Sequence, residues 1–165
     1  MKISTITIQK PGPRTITLAE AGEWVIELTV PGIELTVVGV VQTRGHDKKK
    51  LSLTLKHQAP HTQANTTLKG IARDQSHLEI YGKIVIGKNC PDTQSFLKER
   101  ILLLSDQASA IALPELEIDS DAVSCSHAAS IAPLPEEEIF YLMSRGLTRV
   151  KAEELLVEGF LASGH

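Results

Sequence analysis

Alternation of apolar and polar residues dominates the first 130 or so residues and restricts the fold more than any other feature. In LSLTLKH, Leu51, Leu53 and Leu55 alternate with polar residues. Because successive side chains of a strand point to opposite faces, this period of two predicts a half-buried strand. Similar strand-forming segments, rich in β-branched and aliphatic residues, are WVIELTV (24–30), ELTVVGVVQ (34–42), LEIYGKIVI (78–86) and ERILLLS (99–105).

The spacing of these segments predicts an all-β body over residues 1–132. Turn residues separate the segments, which recur at intervals of roughly 20 to 25 residues with no helical pattern between them. That spacing fits either the coils of a parallel β-helix or a β-sandwich, and periodicity does not choose between them. Aromatic residues make up only 4% of the chain, so aliphatic side chains must supply the core.

The pattern changes at Pro133, and residues 133–165 predict a small helical hairpin. Pro135 suits a first helical turn, and the three glutamates that follow complement the positive end of a helix dipole. Gly146 then marks a helix end, and Thr148 can cap a second helix. Such a short segment does not fold alone, so it must pack on the β body or on a partner.

The hairpin also holds a concentration of aromatic residues in a chain that has few. Phe140, Tyr141 and Phe160 are three of its six aromatic side chains. Aromatic residues often anchor interfaces, so these three predict a partner-binding surface. The alternative, that they only fix the helices to the β body, is equally consistent with the sequence.

Composition and missing motifs exclude several functions. The net charge of −3 argues against a nucleic-acid partner, and no apolar stretch approaches the length of a membrane-spanning helix, so we expect no membrane span. The N-terminal residues lack the apolar run of an export signal, which predicts a cytoplasmic protein whose two cysteines are free thiols. No glycine-rich phosphate loop or serine-hydrolase elbow is present, so we expect no bound nucleotide and no enzymatic activity.

Two pairs of residues carry possible metal chemistry. HQAPH, residues 57–61, has the spacing of a helical zinc pair, but Pro60 disfavours a helix there, so two histidines at a strand end are expected. In VSCSHAAS, an extended chain places Cys125 and His127 on one face, about 7 Å apart. Thiolate and imidazole suit iron, zinc or copper. The chemistry alone leaves open that Cys125 is a small buried side chain.

Several segments together resemble the SufB/SufD family of iron–sulfur cluster assembly proteins. They run in the family's order and cover about two-thirds of the chain: residues 57–86, DTQSFLKERILLLSDQA (92–108), PELEIDSDAVSCSHAAS (114–130), EIFYLMSRGL (138–147), and Ala152 with LL 155–156 and GF 159–160. The family's usual Gly-Ala-Thr after the histidine is replaced by Ala-Ala-Ser, and fewer residues precede the similar part than in typical family members.

The resemblance implies a right-handed parallel β-helix followed by a helical segment that docks a SufC-like ABC ATPase. It also implies dimerisation through the β-helix, either with a second copy or with a longer SufB/SufD paralogue. Cys125 and His127 fall on the family's C-x-H motif, where a transient cluster is thought to form. Because a cluster normally needs about four protein ligands, one chain supplies too few, and a two-fold axis would double them.

The sequence therefore predicts a scaffold or scaffold subunit for iron–sulfur cluster assembly. Cys125 is the predicted sulfur or iron ligand, His127 the second ligand or proton partner, and Glu117 an added oxygen ligand if its strand lies beneath theirs. The alternative is an adaptor that binds the ATPase without assembling a cluster. A β-helix enzyme acting on carbohydrate has little support because aromatic platforms are scarce.

Overall fold

The computed structural model describes residues 3–163, which form ten strands followed by two helices. The strands are β1 (Ile3–Ile8), β2 (Gly12–Leu18), β3 (Gly22–Leu28), β4 (Ile33–Thr43), β5 (Lys48–His57), β6 (Gln63–Ala72), β7 (His77–Ile86), β8 (Gln94–Leu103), β9 (Ser109–Ile118) and β10 (Ser124–Pro133). The helices are α1 (Glu136–Ser144) and α2 (Arg149–Ala162).

The strands build a parallel β-helix, which confirms the predicted fold. Odd-numbered strands form one sheet in the order β1-β3-β5-β7-β9, and even-numbered strands form the other in the order β10-β8-β6-β4-β2. All the strand pairs found within residues 3–163 are parallel. The chain thus passes from one sheet to the other at each turn and returns one coil higher, a winding that a sandwich of antiparallel strands does not have.

The expected interval between strands was too long for most of the body. β5, β6 and β7 begin at residues 48, 63 and 77, because each coil contains one strand in each sheet. β1, β2 and β6 were not predicted from the sequence. In β6, the inward positions include Thr66 and Gly70, which dilute the apolar alternation. Gly70 is required there because a Cβ would lie 2.5 Å from Leu78 Cδ2.

The core lies between the two sheets and is built from every second residue of each strand. On β7, Leu78, Ile80, Ile84 and Ile86 point inward and are fully buried. Leu51 and Leu55 of β5 lie in register with Ile80 and Ile84 and are buried as well. Burial of each such side chain contributes roughly 1.5–3 kcal/mol, so the regular stacking of coils is the main source of stability.

The predicted helical hairpin is present, with one difference at its start. β10 ends at Pro133, and Pro135 occupies the N-cap of α1 rather than its first turn. Gly146 follows α1 with a φ of +95°, a left-handed conformation that favours glycine. Thr148 caps α2 as predicted, because its hydroxyl accepts a hydrogen bond from the backbone N–H of Lys151. No helix in the described part of the chain is long and apolar enough to cross a membrane.

Candidate functional site

The last coil leaves the interior of the β-helix uncovered at one end, here called the open end. β9 and β10 are the terminal strands of their sheets. Their inward side chains therefore have no further coil above them within residues 3–163. Leu116, Ile118 and Ile131 occupy inward positions in this coil and remain exposed. Exposed apolar side chains beside two unpaired strand edges are typical of a surface that another chain covers.

Cys125 and His127 both face inward on β10 and belong to this open end. Cys125 lies in register with Ser95 of β8, and His127 lies in register with Leu97, two residues that are buried in the coil below. The predicted common face of the pair is thus present. Cys125 is half-buried, and burial raises the pKa of its thiol, whereas His127 is exposed. Both cysteines in the described chain are free, as expected.

A buried polar network lies beneath Cys125 and explains the first histidine of HQAPH. His57 Nε2 is 2.9 Å from Ser95 Oγ, and His57 Nδ1 is 2.8 Å from Thr62 Oγ1. Burial lowers the pKa of His57 to about 4, so the ring is neutral at pH 7. His61 instead lies in an exposed turn, where its Nδ1 is 3.3 Å from Asp92. The two histidines stand at a strand end and in the next turn, each with its own partners.

Glu99 is a buried acid close to the Cys–His pair and was not predicted from the sequence. It faces inward on β8, in register with Ala129 of β10, and only 1% of it is exposed. The carboxylate oxygens have no side-chain hydrogen-bond partner among residues 3–163. Burial raises the pKa of Glu99 to about 7, and the backbone of Gly82 opposes this increase to a smaller extent. The signal was available, because Glu99 has the same parity as the inward residues Leu97 and Ile101.

Glu117 does not join the pair of residues on β10. It lies on β9, in the other sheet, and its carboxylate is 2.7 Å from the ammonium of Lys83 on the outer face. No group of three or more His, Cys, Asp or Glu side chains within residues 3–163 is positioned to hold a metal ion. One copy of this chain therefore presents Cys125 and His127 as a pair rather than as a complete set of ligands.

The three aromatic residues predicted to bind a partner have different surroundings. Phe140 and Tyr141 on α1 are 74% and 56% exposed. Phe160 on α2 packs on the β body, where its ring centroid lies 5.1 Å from the guanidinium of Arg100 and 5.8 Å from the ammonium of Lys69. The exposed aromatic pair, Phe140 and Tyr141, is therefore available to a partner, whereas Phe160 holds the hairpin to the sheet.

These features define a parallel β-helix protein with a Cys–His pair at an open end and a helical appendage. The model of the SufBD core domain of the SUF iron–sulfur cluster assembly system matches residues 21–160. The chain belongs to the SufBD family of iron–sulfur cluster assembly proteins, as the sequence predicted.

Curated relatives agree with this assignment. Iron–sulfur cluster assembly SufBD family proteins from Staphylococcus saprophyticus and from Staphylococcus aureus strain USA300 are each 30% identical to it over 105 residues. That segment is 64% of this chain and 23% of each relative. The chain thus matches less than a quarter of the length of these relatives.

Proposed function

We propose that this chain is a scaffold subunit on whose open end an iron–sulfur cluster is assembled as cargo, and that its role is binding rather than catalysis. The observation that carries the proposal is the position of Cys125 and His127, side by side on the inward face of the last coil of the described chain. A soft thiolate and an imidazole on one face match the ligands that iron accepts in such clusters.

The proposed cluster is shared between two chains that meet at their open ends. A single chain offers two of the roughly four protein ligands that a cluster normally needs. A second copy, or a longer SufBD paralogue, would supply the rest across a two-fold or pseudo-two-fold axis. The exposed Leu116, Ile118 and Ile131 give this contact an apolar surface, and Glu99, the buried acid nearest in register, is a candidate oxygen donor.

Anaerobic reconstitution with ferrous iron and sulfide tests the scaffold role. Wild-type protein is expected to retain visible absorption through gel filtration, and Cys125→Ser is expected to lose it. Cys90→Ser is the matched control, because Cys90 is a buried thiol in the core below the last coil. Equal absorption in wild type and Cys125→Ser would refute the assigned ligand.

Mild oxidation tests the shared interface separately. A disulfide between Cys125 of two copies requires Cα atoms within about 7 Å, so facing open ends should give a covalent dimer on non-reducing electrophoresis. The dimer should disappear in Cys125→Ser and persist in Cys90→Ser. A strict monomer at high protein concentration would contradict a site shared between two copies and would leave the longer paralogue as the second chain.

The proposed ATPase partner is a SufC-like ABC protein that binds the exposed aromatic pair of α1. Half or more of each of these side chains is exposed, and burying such aromatics is a common source of binding energy.

The alternative function, an adaptor that binds this ATPase without assembling a cluster, is favoured by the incomplete ligand set within residues 3–163. Retained ATPase binding without any cluster in wild type would select the adaptor. We also propose that the protein is cytoplasmic, because both thiols stay reduced in that compartment.

A further inference from the structure

Lys69 is a buried lysine on the outer surface of the β-helix, which is an unusual place for one. It points outward from β6, yet it is only 1% exposed because the end of α2 lies over it. It is in register with Arg100 of β8, so two cations stand side by side on one face. Lysine is almost never fully buried without a partner, and adjacent like charges repel.

The C-terminal end of α2 offsets both the cost of burying the Lys69 ammonium and its repulsion by Arg100. The Lys69 ammonium donates hydrogen bonds to the backbone oxygens of Phe160, at 2.9 Å, Leu161, at 2.8 Å, and Ser163. All three of its protons are therefore used. The last carbonyls of a helix lack partners within the helix and form the negative end of its dipole. The last turn of α2, as far as the structure describes it, contains no basic residue, so the cation comes from the β body.

The remaining contact between hairpin and body is thin. Within the described chain, Ile139 is the one buried residue of α1, and Ala152 is the one buried residue of α2. Between the hairpin and the even-numbered sheet lies a cavity of about 280 Å³, lined by Arg100, Leu102, Leu134, Leu156 and Phe160 among others. Loose packing of this kind leaves the helix position dependent on a few strong contacts.

We propose that Lys69 is a latch that holds the C-terminal end of α2 on the β-helix, and that the hairpin is an arm which swings away when these hydrogen bonds break. Leu134 and Pro135, which join β10 to α1, form the hinge. The latch itself does not depend on the proposed function. The use of the latch does rest on the proposed function. A latched arm presents the exposed aromatic pair in one fixed orientation, next to the strand that carries Cys125.

Hydrogen exchange of the whole chain tests the latch. Lys69→Met keeps the length of the side chain but removes the ammonium that donates to the carbonyls of Phe160, Leu161 and Ser163. The amides of residues 155–163 should therefore exchange at least tenfold faster. Those of β6 should be unchanged. Lys98→Met is the matched control, since Lys98 is an exposed outward lysine on β8, and it should leave α2 as in wild type. Unchanged exchange of residues 155–163 in Lys69→Met would overturn the proposal.

Two further measurements separate the latch from general packing. Arg100→Met removes the neighbouring cation, whose contact with α2 is the ring of Phe160; if it loosens α2 as much as Lys69→Met does, packing rather than the ammonium holds the arm. The other measurement needs no substitution. In wild-type protein, Lys69 should react with an N-hydroxysuccinimide ester at least tenfold more slowly than Lys98, because its amine is free only while α2 is detached. Equal rates of modification at the two lysines would refute the latch.

Discussion

Glu99 should make the protein less stable as the pH rises, and Glu99→Gln should remove this effect. Burial raises the pKa of the carboxyl from an ordinary 4.5 to about 7. Between these two values the folded chain keeps a proton that the unfolded chain has lost, so stability falls as the pH increases through this window. Each unit of pKa corresponds to about 1.4 kcal/mol, and the loss therefore amounts to about 3 kcal/mol by pH 8.

Glutamine has nearly the same shape but no charge, so the variant isolates the titration. At pH 5 the variant and wild type should differ little in the free energy of unfolding. At pH 8 the variant should be more stable by about 3 kcal/mol, which is roughly 6–12 °C in melting temperature for a chain of this size. Denaturant unfolding at half-unit pH steps measures the difference in the free energy of unfolding between the two proteins. The contributions of all other titrating groups are the same in both and cancel.

Glu117→Gln is the matched control for this experiment. Glu117 is exposed on the outer face and paired with Lys83, so its substitution should give no gain in stability at high pH. The reasoning about Glu99 is refuted if the gain from Glu99→Gln is the same at pH 5 and pH 8. Such a constant offset would show that repacking, rather than the buried charge, changed the stability.

The other predictions concern the buried His57 ring, the strained turn at Ala122, and the different surroundings of Phe140 and Phe160. The lowered pKa of His57, from 6.5 to about 4, predicts a loss of about 3 kcal/mol as the pH falls from 6.5 to 4; unfolding profiles of wild type and His57→Asn that run parallel would contradict this. Ala122 has a φ of +54°, so Ala122→Gly should stabilise the chain by about 0.5–1 kcal/mol, whereas Gly32→Ala, at a φ of +76° in the same corner, should destabilise it in thermal unfolding. Phe140→Ala should weaken ATPase binding at least tenfold with an unchanged melting temperature, and Phe160→Ala should lower the melting temperature; the reverse pattern would exchange their roles.

The helical end could be read from the sequence because its signals are local. Capping by Thr148 and the stop at Gly146 depend on residues a few positions away, and both were found as expected. Strands with apolar alternation, such as β5 and β7, were predictable for the same reason. β6 was not, because its inward positions include Thr66 and Gly70, whose fit depends on side chains of neighbouring coils.

The candidate site was likewise predictable only where its signals were local. The period of two along one strand was enough to place Cys125 and His127 on a common face. It did not reveal that Ser95 and Glu99 lie in the coil below them, nor that Glu117 lies in the other sheet with Lys83. Neighbours along the ladder are separated in sequence by a whole coil, and only the length of each coil determines which residues stack.

The sequence by itself determined the strand-rich body, the helical hairpin, the family and the facing pair Cys125 and His127, because each depends on short-range pattern or on motif order. Tertiary structure alone decided which polar groups were buried. Glu99 is buried away from solvent, and the Lys69 ammonium is covered by backbone carbonyls at the C-terminal end of α2. Burial and charge pairing are properties of stacked coils and a docked helix, and therefore depend on long-range contacts that no local pattern encodes.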